Sequence, residues 1–302
     1  MYEVVIVGGG PAGLSAALIL GRCRRRVLLC DAGSPRNASA AALHGFLTRD
    51  GTAPLELLRL GRDELSPYGI DLRSATVTAV ERGGAHFDVT IDASERVQAQ
   101  ALLIATGVCD QLPSIPGVRE CYGISVHHCP YCDGWEHLNE PLAVIGHGNG
   151  AAGLALSLRT WTGRITLCTN GRTLTRRQHE QLGAQQITIR LERILRLEHQ
   201  DGQLTRVMVD SAQPVDCRGA FISSSQEQQA DFAKRLGCEF TRKGTVKTDR
   251  LGETCVPGVY VVGDASHDVQ FAVVAAAEGA KAGVAINKAL QAQAGLTIRT
   301  ES

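Results

Sequence analysis

Neither sign of charge is in excess in this chain of 302 residues, where 31 Lys and Arg offset 31 Asp and Glu. Without a basic surplus nothing global argues for a nucleic-acid partner, and without an acidic one nothing argues for a basic partner. Long apolar runs are missing too: no stretch reaches the ~20 residues that a membrane helix needs. The opening "MYEVVIVGGGPAGL" lacks a basic segment and meets its glycines too early to be an export signal, so a cytoplasmic location is expected. The ten cysteines build no dense framework, which suits a chain that meets a reducing compartment. Hydrophobic residues at 44% and charged residues at 21% give the profile of a soluble globular protein, long enough for one large or two ordinary domains.

"YEVVIVGGGPAGLSAALILGR" runs from a short apolar segment through a glycine cluster into helical periodicity, and "RVLLCDAG" adds a second short strand ending in an acid. Gly8, Gly10 and Gly13 fit G-x-G-x-x-G, with Pro11 and Ala12 between the last two. The first glycine permits the turn, the second lets a pyrophosphate approach the backbone, and the third lets helix and strand pack closely. The helix N-terminus aims unpaired N–H groups at phosphates, and Asp31 is placed to accept from a ribose hydroxyl. A similar arrangement returns at "PLAVIGHGNGAAGLALSL", where Gly146, Gly148 and Ala151 match the G-x-G-x-x-A variant. Near the far end "GVYVVGDAS" is another apolar strand closing on Gly-Asp, followed by a long small-residue helix. The expected class is therefore α/β, with two Rossmann-like three-layer domains, the second inserted in the first. Residues 1–112 and 246–302 form the first domain and 113–245 the insertion.

"HHCPYCDGWE" holds a C-x-x-C pair, Cys129 and Cys132, with Asp133 directly after it. In a redox pair one thiolate attacks a substrate disulfide and the neighbouring thiol resolves the mixed disulfide. Zinc needs two further ligands, and the chain has no second C-x-x-C, although His127, His128 and His137 keep that reading open. No metal is expected. The other eight cysteines read as packing residues, and "SSSQEQQADFAKRLG" reads as a turn followed by a polar-faced helix.

Taken in order, "GGGPAGL", "ATG" at 105–107, C-x-x-C-D-G at 129–134, the second glycine motif and "GVYVVGD" at 258–264 resemble the low-molecular-weight thioredoxin reductase family of flavoproteins over almost the whole chain. The resemblance implies an FAD-binding first domain. There Gly8, Gly10, Pro11, Ala12, Gly13 and Asp31 would hold the ADP half, and Gly263 and Asp264 would meet the ribityl-pyrophosphate region. Gln270 and Phe271 stand where an Arg-Gln pair is usual, which alters the flavin contact. The resemblance further implies that Cys132 faces the flavin, Cys129 exchanges with substrate, and Asp133 moves protons. His127 or His128 could be a base for a substrate thiol or a simple hydrogen-bonding group near the flavin; His128 is taken as the catalytic candidate. A homodimer is implied as well.

The sequence also departs from that family. NADPH-using members carry a His-Arg-Arg run where this chain has Thr169, Asn170 and Gly171. Removing cations from a phosphate site forfeits charge-assisted hydrogen bonds of ~1.5–3 kcal/mol each. The expected function is an FAD-dependent disulfide/dithiol oxidoreductase exchanging electrons with the Cys129–Cys132 pair without NADPH. Its partner would be a small dithiol or a thioredoxin-like protein. Ferredoxin, oxygen or another flavin would then be the electron partner, and the inserted domain could hold another nucleotide or a second flavin. The competing readings are an NADPH-dependent thioredoxin reductase and a non-catalytic flavin-binding redox sensor.

Overall fold

Six of the first seven residues form the strand β1 (Tyr2–Val7), whose last four side chains are buried, as a strand covered on both faces must be. A turn of three glycines leads into α1 (Pro11–Arg22), which starts with Pro at its first position, where the missing N–H costs nothing. The chain returns as β2 (Val27–Asp31), parallel to β1. After α2 (Pro54–Leu65) and β3 (Asp71–Ser74) it forms a meander of β4 (Val77–Gly83), β5 (His86–Ile91) and β6 (Glu95–Ile104). Alternate residues of β5 are buried, the period of a strand with one covered face. The long β6 serves two layers. Its first half pairs antiparallel with β5, and its second half pairs parallel with β1. The computed structural model of the chain describes residues 1–266 and 269–296; the end of the expected first domain, 297–302, lies outside the described residues.

The chain then leaves through β7 (Val108–Gln111) and the short α3 (Val118–Cys121). Next come β8 (Val126–His127), α4 (Pro130–Asp133), β9 (Leu142–Ile145), α5 (Gly148–Ser157), β10 (Ile165–Cys168), α6 (Arg176–Ala184) and β11 (Thr188–Arg190). An antiparallel meander, β12 (Ile194–Gln200), β13 (Gln203–Val209) and β14 (Val215–Asp216), precedes β15 (Gly219–Ile222). The five parallel strands stand in the order β11-β10-β9-β15-β8. This is a second Rossmann-like unit with its own two clusters of buried side chains.

The return is a strand, β16 (Ser225–Gln228), antiparallel to β7, so part of the stretch expected to be a turn and helix is extended. Its side chains Gln226 and Gln228 find partners in the first unit, which repays an extended rather than a helical course. Only Phe232–Arg235 of that stretch is helical (α7), and Phe232, Ala233 and Cys238 share a buried cluster with Val5, Val7 and Leu102 of the first sheet. The chain thus rejoins the first unit ahead of residue 246. Strand β17 (Val259–Val261) completes that sheet beside β6, and α8 (Ala272–Gln293) packs along α1. The approach of the two helices is so close that a Cβ on Gly279 would lie 1.9 Å from the Ala12 carbonyl oxygen. Among the described residues no helix is long and apolar enough to cross a membrane.

Candidate active site

The ends of β1, β2, β6 and β17 open onto one deep cavity, bounded on its far side by α4. The carboxyl ends of parallel strands are where open α/β sheets leave room for ligands. Gly8, Gly10, Pro11, Ala12, Asp31, Gly263, Asp264, Gln270 and Phe271 line it, together with Thr106, His127, His128, Cys132 and Asp133. Gly13 lies one layer behind, where a Cβ would meet the Gly8 carbonyl oxygen at 1.9 Å. Gly10 differs. It lines the cavity, its φ of −73° suits any residue, and a Cβ would meet nothing within 4 Å. The protein itself does not need glycine there, so an occupant that presses on the turn accounts for it. Thr106 gives a second sign: its Oγ1 is buried in the cavity wall without a hydrogen-bond partner. Buried hydroxyls in native proteins are almost always paired, and a polar ligand would supply the partner. The α1 N-terminus, capped by no side chain, adds free N–H groups on the same wall. Together the donor set and the side-chain-free turn fit a dinucleotide cofactor.

Asp31 ends β2, accepts from the Gly33 amide at 3.1 Å and is paired with Arg62 from α2. Asp264 is held by Arg36 at 2.8 Å. Arg36 was not foreseen, yet it organises this wall. It donates to both oxygens of Asp110 at 2.7 Å, to Gln270 at 2.7 Å and, through Nη2, to His128 Nε2 at 3.1 Å. Nothing local in "SPRNAS" announces these contacts, because they come from residues 74 to 234 positions away. Gln226 of β16 closes the network by bonding Gln270 and Asp110.

His128 therefore sits in a ring of fixed donors. An arginine N–H can only donate, so Nε2 accepts; Nδ1 then donates to Tyr122 at 2.8 Å, whose hydroxyl donates to Asp110 at 3.0 Å. Burial, and then Arg36, hold the His128 pKa below its usual value. Burial pushes Asp110 up, but the hydrogen bonds and charge of Arg36 outweigh it and leave the carboxyl below its usual range. Burial and Asp110 raise the Tyr122 hydroxyl. A neutral imidazole whose acceptor nitrogen is already occupied is poorly placed to take a proton from a substrate.

The Cys129–Cys132 pair is a disulfide with its Cα atoms 5.3 Å apart. Cys129 caps α4 and its carbonyl accepts from the amides of Cys132 at 3.2 Å and Asp133 at 3.3 Å. That one turn carries Cys132 and Asp133 to the cavity wall, which Cys129 does not line. Tyr131, between the two cysteines, and Trp135, beyond them, keep most of their surface in solvent, at 70% and 71% exposed. It is His127, not His128, that reaches the acid: its Nδ1 lies 3.2 Å from Asp133 Oδ1. Among the described residues no group of three or more His, Cys, Asp or Glu is disposed to hold a metal.

The other cysteines divide. Cys30, Cys121, Cys168, Cys217 and Cys238 are buried, with burial pushing Cys30 to about 11 and Cys168 and Cys217 to about 12. Cys23, Cys109 and Cys255 are exposed and so are not core packing residues. At the second glycine motif, Thr169 spends its hydroxyl on the Arg172 carbonyl at 2.6 Å, and Asn170 accepts from the Ile194 amide at 2.8 Å. Arg176, 93% exposed, is tied to Glu180 at 2.7 Å within its own helix.

A family model described as pyridine nucleotide-disulphide oxidoreductase matches residues 2–279. A protein of Arthroderma benhamiae described as a "probable thioredoxin reductase" is 32% identical, over 88% of this chain and 74% of its own length. The thioredoxin reductase aclD of Aspergillus oryzae is 27% identical over 95% of each chain. The crystal structure of HlmI superposes with a TM-score of 0.94 at 38% identity, covering 97% of this chain and 94% of that one.

Proposed function

The chain belongs to the pyridine nucleotide-disulphide oxidoreductase family and is a thioredoxin reductase-like flavoprotein oxidoreductase, and from that premise we propose that it exchanges electrons between FAD and a dithiol through Cys129 and Cys132. The observation that carries the reading is the division of the pair: Cys132 lines the cavity that the glycine turn opens onto, and Cys129 does not. FAD would be held by the Gly8–Gly13 turn, Asp31, Thr106, Gly263 and Asp264, with Gln270 and Phe271 at the N-terminus of α8. When bound, FAD supplies a two-electron couple.

The protein's own part is thiol chemistry and proton management. A substrate thiolate attacks Cys129 Sγ, and the electron pair of the disulfide passes to Cys132 Sγ on the cavity side. Asp133, in contact with His127, takes the proton released by the substrate thiol or returns one to a departing thiolate. Arg36, itself part of the cavity wall, fixes Asp264 and Gln270, so that the wall is set before a ligand arrives. The partner is a thioredoxin-like protein or a small dithiol, and the exposed rings of Tyr131 and Trp135 offer it an apolar rim. A homodimer belongs to the same reading.

NADPH is a poor reductant in this reading. The turn at Thr169–Gly171 spends the Thr169 hydroxyl on the Arg172 carbonyl and the Asn170 carbonyl oxygen on the Ile194 amide, and presents no cation at the place of a 2'-phosphate. Electrons then go to or come from oxygen, ferredoxin or another flavin, and the second glycine turn takes a different nucleotide. Anaerobic titration of the purified protein with dithiothreitol, NADPH and NADH, followed through the flavin spectrum, tests both halves. Bleaching by dithiothreitol but not by micromolar NADPH is expected. Rapid bleaching by NADPH would restore an ordinary NADPH-dependent thioredoxin reductase.

A further inference from the structure

We propose that Arg36 and His128 form a clasp between the two units that holds the Cys129–Cys132 turn against the cofactor cavity, with His128 a positioning residue for electron passage rather than a base. The inference rests on the reading of Cys132 as the sulfur that passes electrons to FAD.

The chain passes between the units through the ribbon of β7 and β16. Relative motion of linked domains is the default unless contacts across the joint oppose it. Arg36, from the loop after β2, makes such contacts. Its Nη1 donates to Asp264 at 2.8 Å and to Gln270 at 2.7 Å in the first unit. Nε and Nη2 take the two oxygens of Asp110 on the ribbon at 2.7 Å, and Nη2 also donates to His128 Nε2 in the inserted unit at 3.1 Å. One planar guanidinium thus has partners in both units and in the ribbon between them. His128 directly precedes Cys129, the residue that caps α4. Both of its ring nitrogens are engaged, Nε2 by Arg36 and Nδ1 by the Tyr122 hydroxyl at 2.8 Å, and the Tyr122 ring stacks beside it at 6.0 Å. A ring held at both ends restrains its own Cα, and the next Cα is only ~3.8 Å away. The start of α4, and Cys132 one turn on, are therefore held to the wall that carries Asp264 and Gln270.

The two halves of the reaction make different demands. In the first, a substrate thiolate attacks Cys129 Sγ and the Cys129–Cys132 bond breaks with its electron pair on Cys132 Sγ. The second substrate thiolate then displaces Cys129 as a thiolate, the substrate leaves as a disulfide, and the protons of both its thiols are released. That half needs access to Cys129. In the second, the two cysteine thiolates give two electrons to FAD, one of the released protons follows, and the Cys129–Cys132 bond re-forms. That half needs Cys132 at the cavity wall, where it lies, and the clasp serves it.

The clasp also has a polarity. A guanidinium only donates, so Nε2 of His128 must stay unprotonated, and an imidazolium would set two donors face to face. Burial, and next the charge of Arg36, hold the His128 pKa below its ordinary 6.5; His127 acts in the same sense, and Asp110 and Asp133 in the opposite one. Tyr122 and, behind Arg36, Asp264 also face the cluster. With the folded value depressed, the clasp is whole at neutral pH and opens as the pH falls below the ordinary histidine value.

Two rates separate the clasp from the thiol chemistry. With dithiothreitol in excess, thiol trapping follows reduction of the Cys129–Cys132 pair, and stopped-flow absorbance follows flavin bleaching. His128→Leu should lower the ratio of bleaching to exchange about tenfold, within the ~10²-fold that a 1 Å misplacement costs. His128→Gln has an amide oxygen that still accepts from Arg36 but does not titrate. It should restore the ratio at about pH 7.5 and, unlike the wild type, hold it at about pH 5.5. In purified oxidised protein labelled with 15N-histidine, His128 should carry its ring proton on Nδ1 and none on Nε2 at neutral pH. Should the leucine variant fail to fold, Tyr122→Phe, which keeps the ring and frees Nδ1, should lower the same ratio by less. A wild-type ratio in these variants, or a proton on Nε2 of wild-type His128 at neutral pH, would overturn the clasp. A wild-type pair that exchanges with dithiothreitol yet never bleaches the flavin would instead remove the reading on which it rests.

Discussion

Cys129 and Cys132 are chemically alike and three residues apart, yet one turn of helix gives them different neighbours. If electrons must pass through the sulfur on the cavity side, Cys132→Ser should reduce dithiol-driven flavin bleaching to background even though Cys129 can still form a mixed disulfide. Bleaching at the wild-type rate, followed by stopped-flow absorbance, would reject the assignment. The pair and Asp133 were legible because their chemistry is carried by adjacent residues. Arg36 was not, since its partners Asp110, Asp264 and Gln270 come from three distant segments and only the fold unites them. The two histidines before the pair show the limit within one dipeptide. The sequence singles out both, but only the alternation of side chains along β8 and beyond sends His127 to Asp133 and His128 to Arg36.

At the scale of elements, the glycine turn before α1 separates two requirements that the motif runs together. Gly13 answers to the protein, because a methyl group there would press into the Gly8 carbonyl. Gly10 answers to whatever fills the cavity. Gly13→Ala should therefore cost about 1–3 kcal/mol of stability in denaturant melts, with or without cofactor. Gly10→Ala should leave the apoprotein within about 0.5 kcal/mol of wild type and still lose FAD on purification, measured as absorbance released on denaturation. Equal stability losses in the two variants would contradict this division. Both glycine turns, the central strands and the long α8 followed from periodicity and turn chemistry. Strand β16 did not, because "SQEQ" has neither β-branched residues nor alternation of polarity; pairing with β7 decides its course.

For the molecule as a whole, the Arg36 cluster ties acid stability to the joint between the two units. His128 is held below its ordinary pKa, and so is Asp110. In both cases the unfolded chain binds protons more readily than the folded one, so their contribution is full at neutral pH and lost as pH falls. His128 acts first, below its ordinary value of 6.5, and Asp110 below 3.8. The melting temperature of cofactor-free protein should thus decline from about pH 7 to about pH 5, and His128→Gln should flatten that decline. A decline that persists unchanged in the variant would place its origin elsewhere.

The ribbon of β7 and β16 has a consequence for ancestry and for engineering. Gln111 and Ser225 face each other across it, so the inserted unit leaves and returns through neighbouring points on a single stem. Topologically the second unit is a graft on a two-stranded stalk, and cutting the stalk leaves two ends that a short hairpin turn can rejoin. The chain therefore reads as a cofactor-holding host and a cargo module carrying its own sulfur chemistry, which could be exchanged for another module at one seam without re-threading the host.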